Sequence, residues 1–238
     1  MSHLDWDRLD AIDAREFQQQ KPYPWVNPAG LLRDDAFEEL VATLPEVSSF
    51  DENFGRARRY GQQSHDRFNL EYMDGVDVAP CWKAFVGELA SDRYRNFLSR
   101  LFGHGSFKLR FHWHYTPNGC SVSPHCDSTR KLGSHIFYMN TSRDWDVSWG
   151  GETIVLDDGD GLSHRSAPAI KDFDASIASS TLDNVSFIFQ RTPRAWHAVR
   201  EIQCPEDAMR KVFIVVVDDW RWRRRFLSGR RKRGTETY

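Results

Sequence analysis

The sequence predicts an α+β fold that is mainly β, a jelly roll or sandwich with helices packed on one side. Three observations carry this. Helix-period segments lie in the first hundred residues, and after Gly105 the texture changes to short β-branched and aromatic runs broken by Gly, Pro, Asn and Asp. The chain of 238 residues, 40% hydrophobic and 28% charged, is long enough to bury a core without disulfide or metal staples.

The elements follow in order. The first 30 residues are polar and then turn-rich, with Pro22, Pro24 and Pro28 favouring extended or turn backbone. From Asp34, the spacing of Phe37, Leu40, Val41 and Leu44 predicts a helix, capped by Asp34 or Asp35 and stopped by Pro45. Residues 50 to 75 are polar and arginine-bearing without a clear period, a loop or irregular strand pair. A second helix is expected from about Pro80 to Leu101, where Trp82, Phe85, Val86, Leu89, Tyr94, Phe97, Leu98 and Leu101 mostly keep the helical period. Phe107, Leu109, Phe111, Trp113 and Tyr115 then alternate with Lys108, Arg110, His112 and His114, a strand with one apolar and one polar face. Further strands are expected at 134–140, 152–156, 185–190, 195–202 and 210–217.

Composition narrows the function classes. No run approaches the roughly 18 to 20 apolar residues of a membrane span, and the acidic start without an apolar core leads us to expect no secretory signal and a cytoplasmic location. Cys81, Cys120, Cys126 and Cys204 form no CxxC pair and are read as reduced thiols. The net charge of −2 hides an asymmetry: eight basic residues and no acid lie between Arg221 and Arg233, leaving 24 basic against 34 acidic residues elsewhere. That tail is read as solvated or self-packed, ahead of a nucleic-acid contact or an anionic membrane-surface contact. No nucleophile elbow, phosphate-cradling glycine loop or dinucleotide motif is found.

The residues that most invite chemistry are His125 and Asp127. Two apart on an extended chain, they project to the same side and reach one ion. A second histidine would complete the two-His-one-carboxylate facial triad, which leaves positions open on iron(II). His112, His114, His135 and His164 are rivals for that role, but His197 is better placed, late in the β-rich half and followed by Arg210 at the head of an apolar strand. An arginine there is a fixed, charged fork suited to a carboxylate. Strand alternation lets Arg210 or Lys211 face inward, and we take Arg210. Cys126, between two ligands, should point away. Gly150 and Gly151 mark a bulge or tight bend.

An ordered set of segments resembles the iron(II)/2-oxoglutarate dioxygenases of the prolyl-4-hydroxylase-like group. They are Tyr115-Thr116-Pro117-Asn118-Gly119, His125 with Asp127, Ile136-Phe137-Tyr138-Met139-Asn140, Trp149-Gly150-Gly151-Glu152-Thr153, Trp196-His197-Ala198-Val199 and Arg210-Lys211-Val212-Phe213, within about residues 105–220. The resemblance implies a double-stranded β-helix (jelly roll) with N-terminal supporting helices. It divides the chain into a helical support and substrate-loop region at 1–104, a catalytic core at 105–220 and a basic tail at 221–238. It further implies Fe(II) held by His125, Asp127 and His197, with 2-oxoglutarate as co-substrate alongside O2, and ascorbate as a supporting reductant. The distal carboxylate of 2-oxoglutarate would pair with Arg210 and accept from the Tyr138 hydroxyl, and Tyr115 would line the same pocket. Asp127 closes the position that related halogenases open for halide, which favours hydroxylation.

The expected function is therefore hydroxylation of a C–H bond in an amino acid or other small metabolite, with release of succinate and carbon dioxide. The alternatives are a peptidyl, prolyl-type protein hydroxylase and a jelly-roll binding module without turnover. Substrate contacts are expected from Arg56, Arg58 and Arg59 in the unassigned segment and from His112 and His114 above the iron. A nucleic-acid partner is not expected, because the alkylation-repair branch carries a second arginine six residues after the first, where this chain has Val216.

Overall fold

The computed structural model describes residues 2–159 and 161–220, so the basic run 221–233 lies outside the described residues. Two short helices open the chain, α1 (Trp6–Ala11) and α2 (Ala14–Gln19), each started by an aspartate. Asp5 accepts from the Arg8 backbone N–H and Asp13 from those of Arg15 and Glu16, satisfying donors that a helix start leaves unpaired. Each is under two turns long, too short for an apolar period to show in sequence. After β1 (Trp25–Val26), in the proline-rich stretch, comes α3 (Asp34–Ala42), which ends ahead of Pro45.

The segment read as a loop or irregular strand pair is a strand pair. β2 (Asp51–Asn53) runs antiparallel to β3 (Arg67–Glu71), with Asp51 opposite Asn69. The single helix expected at 80–101 is two helices, α4 (Pro80–Leu89) and α5 (Asp92–Phe102). The Ser91 hydroxyl accepts from the Tyr94 N–H at 3.4 Å and starts a new helix where one continuous period had been read.

The β-rich half supplies β4 (Phe107–Pro117), β5 (Val122–His125), β6 (Lys131–Tyr138), β7 (Thr153–Asp157), β8 (Ala175–Ala178), β9 (Ser186–Gln190), β10 (His197–Val199) and β11 (Met209–Asp219). β5 and β8 were not foreseen. β5 lies in a turn-rich run, and β8 is an exposed edge strand with no buried face to generate alternation. Two antiparallel sheets result: β1-β9-β6-β11-β4-β3-β2 and β5-β10-β7-β8. Three strands of the first hundred residues thus extend the larger sheet.

Alternation along the central strands divides the interior in two. On β11, Phe213, Val215 and Val217 face the helices, whereas Arg210, Val212, Ile214 and Val216 face the smaller sheet and line a cavity between the layers. The helix side is an aromatic core in which Phe213 lies 5.1 Å from Trp82, 5.6 Å from Phe85 and 4.9 Å from Trp113, between ring centroids. These rings are fully buried and anchor α4 and α5 on the larger sheet. Among the described residues no helix is long and apolar enough to cross a membrane.

Candidate metal centre

His125 ends β5 and His197 begins β10, and the antiparallel register sets them directly opposite one another. Their ring centroids lie 4.3 Å apart. Asp127, two residues past His125, brings its carboxylate to 4.0 Å from His125 Nε2. Among the described residues these three form the one group whose ligand atoms all fall within 4.8 Å of one another. Backbone carbonyls orient both imidazoles: His125 Nδ1 donates to Ser123 O at 3.0 Å and His197 Nδ1 to Ala195 O at 2.9 Å. The Nδ1–H is thereby committed, so the Nε2 lone pair of each ring is left for a ligand role.

Electrostatics suit the same purpose. Burial, reinforced for His125 by His197 and His65, holds both imidazoles below the usual histidine range, in the neutral form that binds a metal. Burial alone would raise the Asp127 pKa, but the Lys131 ammonium, by its charge and its hydrogen bond, opposes this and keeps the carboxyl below its usual range. Lys131 Nζ donates to Asp127 Oδ1 at 2.9 Å. Two neutral imidazoles and one carboxylate on converging strands fit iron(II) by donor chemistry and spacing.

The triad forms one wall of a cavity of about 190 Å³ between the two sheets. Arg210 is buried in its lining, and its Nε donates to Gly151 O at 2.5 Å. Lys211 turns the other way and reaches Asp144 at 3.7 Å. Tyr138 lies beneath the lining, with its ring 5.4 Å from the Arg210 guanidinium and its hydroxyl donating to Thr153 Oγ1 at 2.7 Å. Tyr138 therefore supports the arginine from below. Cys126 points away from the triad, and its thiol donates to Pro193 O at 3.4 Å.

Several expected contacts fall elsewhere. Tyr115 does not line this pocket: it is an odd-numbered residue of β4, so alternation turns it to the helix side, where its ring lies 4.3 Å from that of Phe50, between centroids, and its hydroxyl donates to Pro45 O at 3.0 Å. His114 and Thr116, on the other face, line the cavity in its place. His112 shares that face but lies two residues further along β4, beside Arg110 at 3.3 Å and outside the lining. Of the three arginines in the polar segment, Arg58 lines the cavity. Arg56 is exposed and turned back on its own loop, and Arg59 is exposed on the wall of an adjoining recess of about 430 Å³.

Sequence reasoning missed His65, Arg67 and Lys131. Arg67 had a readable signal, since Arg67, Asn69 and Glu71 alternate with Phe68, Leu70 and Tyr72 as in a strand. His65, in the loop before β3, and Lys131, at the start of β6, had none, because the structure alone carries them to the cavity.

No family model matches the chain. Two curated proteins, uronate isomerases of Thermotoga petrophila and of a further Thermotoga strain, are 26% identical over 157 residues, but the chain spans only 31% of their length. Solved structures give fuller coverage. A Pseudomonas putida prolyl-4-hydroxylase is similar with a TM-score of 0.64 at 15% identity, over 89% of this chain and 98% of that one. A Trichoplax adhaerens prolyl hydroxylase, solved with a hypoxia inducible factor peptide fragment, has a TM-score of 0.61 at 14% identity over 93% of each chain. The α-ketoglutarate dependent carbocyclase SnoK of nogalamycin biosynthesis has a TM-score of 0.59 at 13% identity, over 89% of this chain and 85% of that one. The chain therefore has the α+β, mainly β jelly-roll fold of the prolyl-4-hydroxylases and 2OG-Fe(II) oxygenases, as the ordered segments of its sequence led us to expect.

Proposed function

We propose that this protein is an iron(II)- and 2-oxoglutarate-dependent oxygenase that hydroxylates an unactivated C–H bond of an amino acid or other small metabolite, releasing succinate and carbon dioxide. The observation that carries the reading is the placement of the His125, Asp127 and His197 ligand atoms within 4.8 Å of one another in the same cavity as the buried Arg210. A metal triad and a carboxylate fork facing one space between two sheets are the parts that this chemistry requires.

Each residue has a definable task. His125, Asp127 and His197 would hold iron(II), which when bound supplies the activation of dioxygen that couples decarboxylation of the keto acid to oxidation of the substrate. Arg210 binds the distal carboxylate of 2-oxoglutarate. Its guanidinium is oriented by the Gly151 carbonyl and backed by the Tyr138 ring, so little rotamer entropy is lost on binding. Ile136, Phe189, Val212 and Ile214 make the remaining wall apolar, which excludes water and strengthens the Arg210–carboxylate pair. Lys131 keeps Asp127 ionised.

A peptidyl hydroxylase is the second reading, favoured by the likeness to a prolyl hydroxylase solved with a peptide. Succinate release from 2-oxoglutarate, with iron(II), ascorbate and oxygen, across a panel of amino acids, peptides and sugars tests both. Stimulation by free amino acids or metabolites supports the first reading, and stimulation by a proline-containing peptide but not by free proline supports the second. Absence of turnover together with absence of 2-oxoglutarate binding would leave a jelly-roll binding module.

A further inference from the structure

The cavity holds more positive charge than one co-substrate uses. Besides Arg210 and Lys131, its lining includes the guanidiniums of Arg58 and Arg67, with the neutral His65 beside them, against the acids Asp66 and Asp127 alone. Lys131 is paired with Asp127. Asp66 is taken by its own loop, where it accepts from the Gly55 N–H at 2.8 Å and from the Ser64 hydroxyl. Within this cluster the Arg58 and Arg67 side chains hydrogen-bond to His65: Arg58 Nη1 donates to His65 Nδ1 at 2.7 Å and Arg67 Nη1 to His65 O at 2.8 Å. That leaves Arg58 Nε, Arg67 Nε and His65 Nε2 buried without a partner among the described residues. With Nδ1 accepting from Arg58, the neutral His65 ring carries its proton on Nε2, so all three orphan atoms are N–H donors.

Three buried donors on three side chains joined through His65 are costly unless something accepts from them. Burial lowers the pKa of both guanidiniums, and for Arg67 the charge of Arg58 adds to the effect, so an acceptor bearing negative charge is favoured. The position is separate from the co-substrate fork. β3 and β11 flank β4 on opposite sides, so Arg67 and Arg210 reach the cavity from either side of His114 and Thr116. It also adjoins the metal centre, since the His65 and His125 ring centroids lie 4.5 Å apart.

We infer that Arg58, His65 and Arg67 form an oxyanion subsite that holds the carboxylate or phosphate of a small acidic substrate beside the metal triad. The inference rests on the oxygenase reading and narrows its substrate to a small acid. A peptidyl proline carries no charge on or beside its ring and would leave both guanidiniums uncompensated.

The test uses the full chain and two independent titrations. Inorganic phosphate is titrated calorimetrically into the wild type and into R58Q, R67Q, R58K and R67K, with 2-oxoglutarate binding to the iron(II) protein measured anaerobically in each and in R210Q. Phosphate affinity is expected to fall about tenfold or more in each Gln variant, to recover partly in the Lys variants, and to leave 2-oxoglutarate affinity near wild type. Among matched pairs, the free acid or phosphate ester should stimulate succinate release and its amide or dephosphorylated partner should not. Phosphate binding that is equal in all variants, or absent from the wild type, overturns the subsite. So does a loss of 2-oxoglutarate affinity in R58Q and R67Q that matches R210Q, which would assign the pair to the co-substrate. Failure of the oxygenase reading shows separately, as no 2-oxoglutarate binding in the wild type.

Discussion

Arg210 is held by Gly151: its Nε donates to the Gly151 carbonyl at 2.5 Å, and a Cβ built on Gly151 would stand 2.9 Å from Arg210 Cδ. Gly151 also has φ +83°, a backbone conformation that side chains disfavour. The glycine thus fixes the direction of the guanidinium by its carbonyl and leaves room for the arginine stem.

Gly151→Ala should therefore displace Arg210 without touching the metal ligands. We expect the affinity for 2-oxoglutarate to fall about tenfold or more, with iron(II) binding unchanged. Anaerobic titration of the iron(II) protein with 2-oxoglutarate measures the first, and metal titration without it measures the second. Unaltered 2-oxoglutarate affinity would show that the Gly151–Arg210 contact does not orient the fork.

The ligand assignment has a spectroscopic signature. The anaerobic iron(II) complex should gain a weak visible charge-transfer band when 2-oxoglutarate is added, and Asp127→Ala and His197→Ala should each abolish it. Loss of a direct ligand should lower iron affinity by more than the roughly 10- to 100-fold typical of outer-shell changes. Persistence of the band in both variants would remove these residues from the site.

Phe213→Ala probes the aromatic core behind the cavity. Phe213 is fully buried against Trp82, Phe85 and Trp113, so truncation removes a large apolar surface and leaves a void that rigid rings do not refill. The expected cost is about 3–5 kcal/mol of unfolding free energy, read from urea denaturation. A cost under about 1 kcal/mol, well below that range, would mean the core closes over the gap.

Acid should destabilise the protein through its buried histidines. His135 is fully buried, with its ring 2.8 Å from the Tyr94 hydroxyl, and burial pushes its pKa down to about 3. In the unfolded chain the value is about 6.5, so between those values the unfolded state binds a proton that the folded state refuses. The folded pKa is the lower one, hence this stability is complete above about pH 6.5 and is lost as pH falls toward 3, at up to ~1.4 kcal/mol per pH unit for one group. His65 and His112, also pushed to about 3 chiefly by burial, act with the same sign. His135→Gln should reduce the slope of stability against pH between 6 and 4 by about one proton, as measured by denaturant unfolding at each pH. An unchanged slope would mean His135 takes up its proton in the folded state.

Much of this site was legible because it rests on local pattern. The two-residue step from His125 to Asp127 follows from the period of an extended chain, which also lets one of Arg210 and Lys211 face inward; the resemblance of the Arg210-led segment chose between them. The resemblance, not this rule, put Tyr115 in the pocket: alternation already grouped it with Phe111 and Trp113 on the apolar face of β4, opposite His112 and His114. His114 and Thr116 hold the cavity face of β4 because Trp113 and Tyr115 are drawn to the aromatic core. The break at Ser91 was hidden because apolar residues continue in helical spacing across it, while one capping hydroxyl starts the second helix.

By itself, the sequence determined the fold class and the order along the chain of the candidate metal ligands, because hydrophobic period and residue type are local properties, and its resemblance to a family pointed to the arginine that shares their cavity. Only the tertiary structure decided which cations share the cavity. Arg58, His65 and Arg67 lie more than fifty residues before His125, and no periodicity encodes that the β2–β3 excursion returns to the edge of β4 and lays His65 against His125. That proximity is set by long-range strand pairing and by burial of the aromatic core, whose energies depend on which surfaces meet.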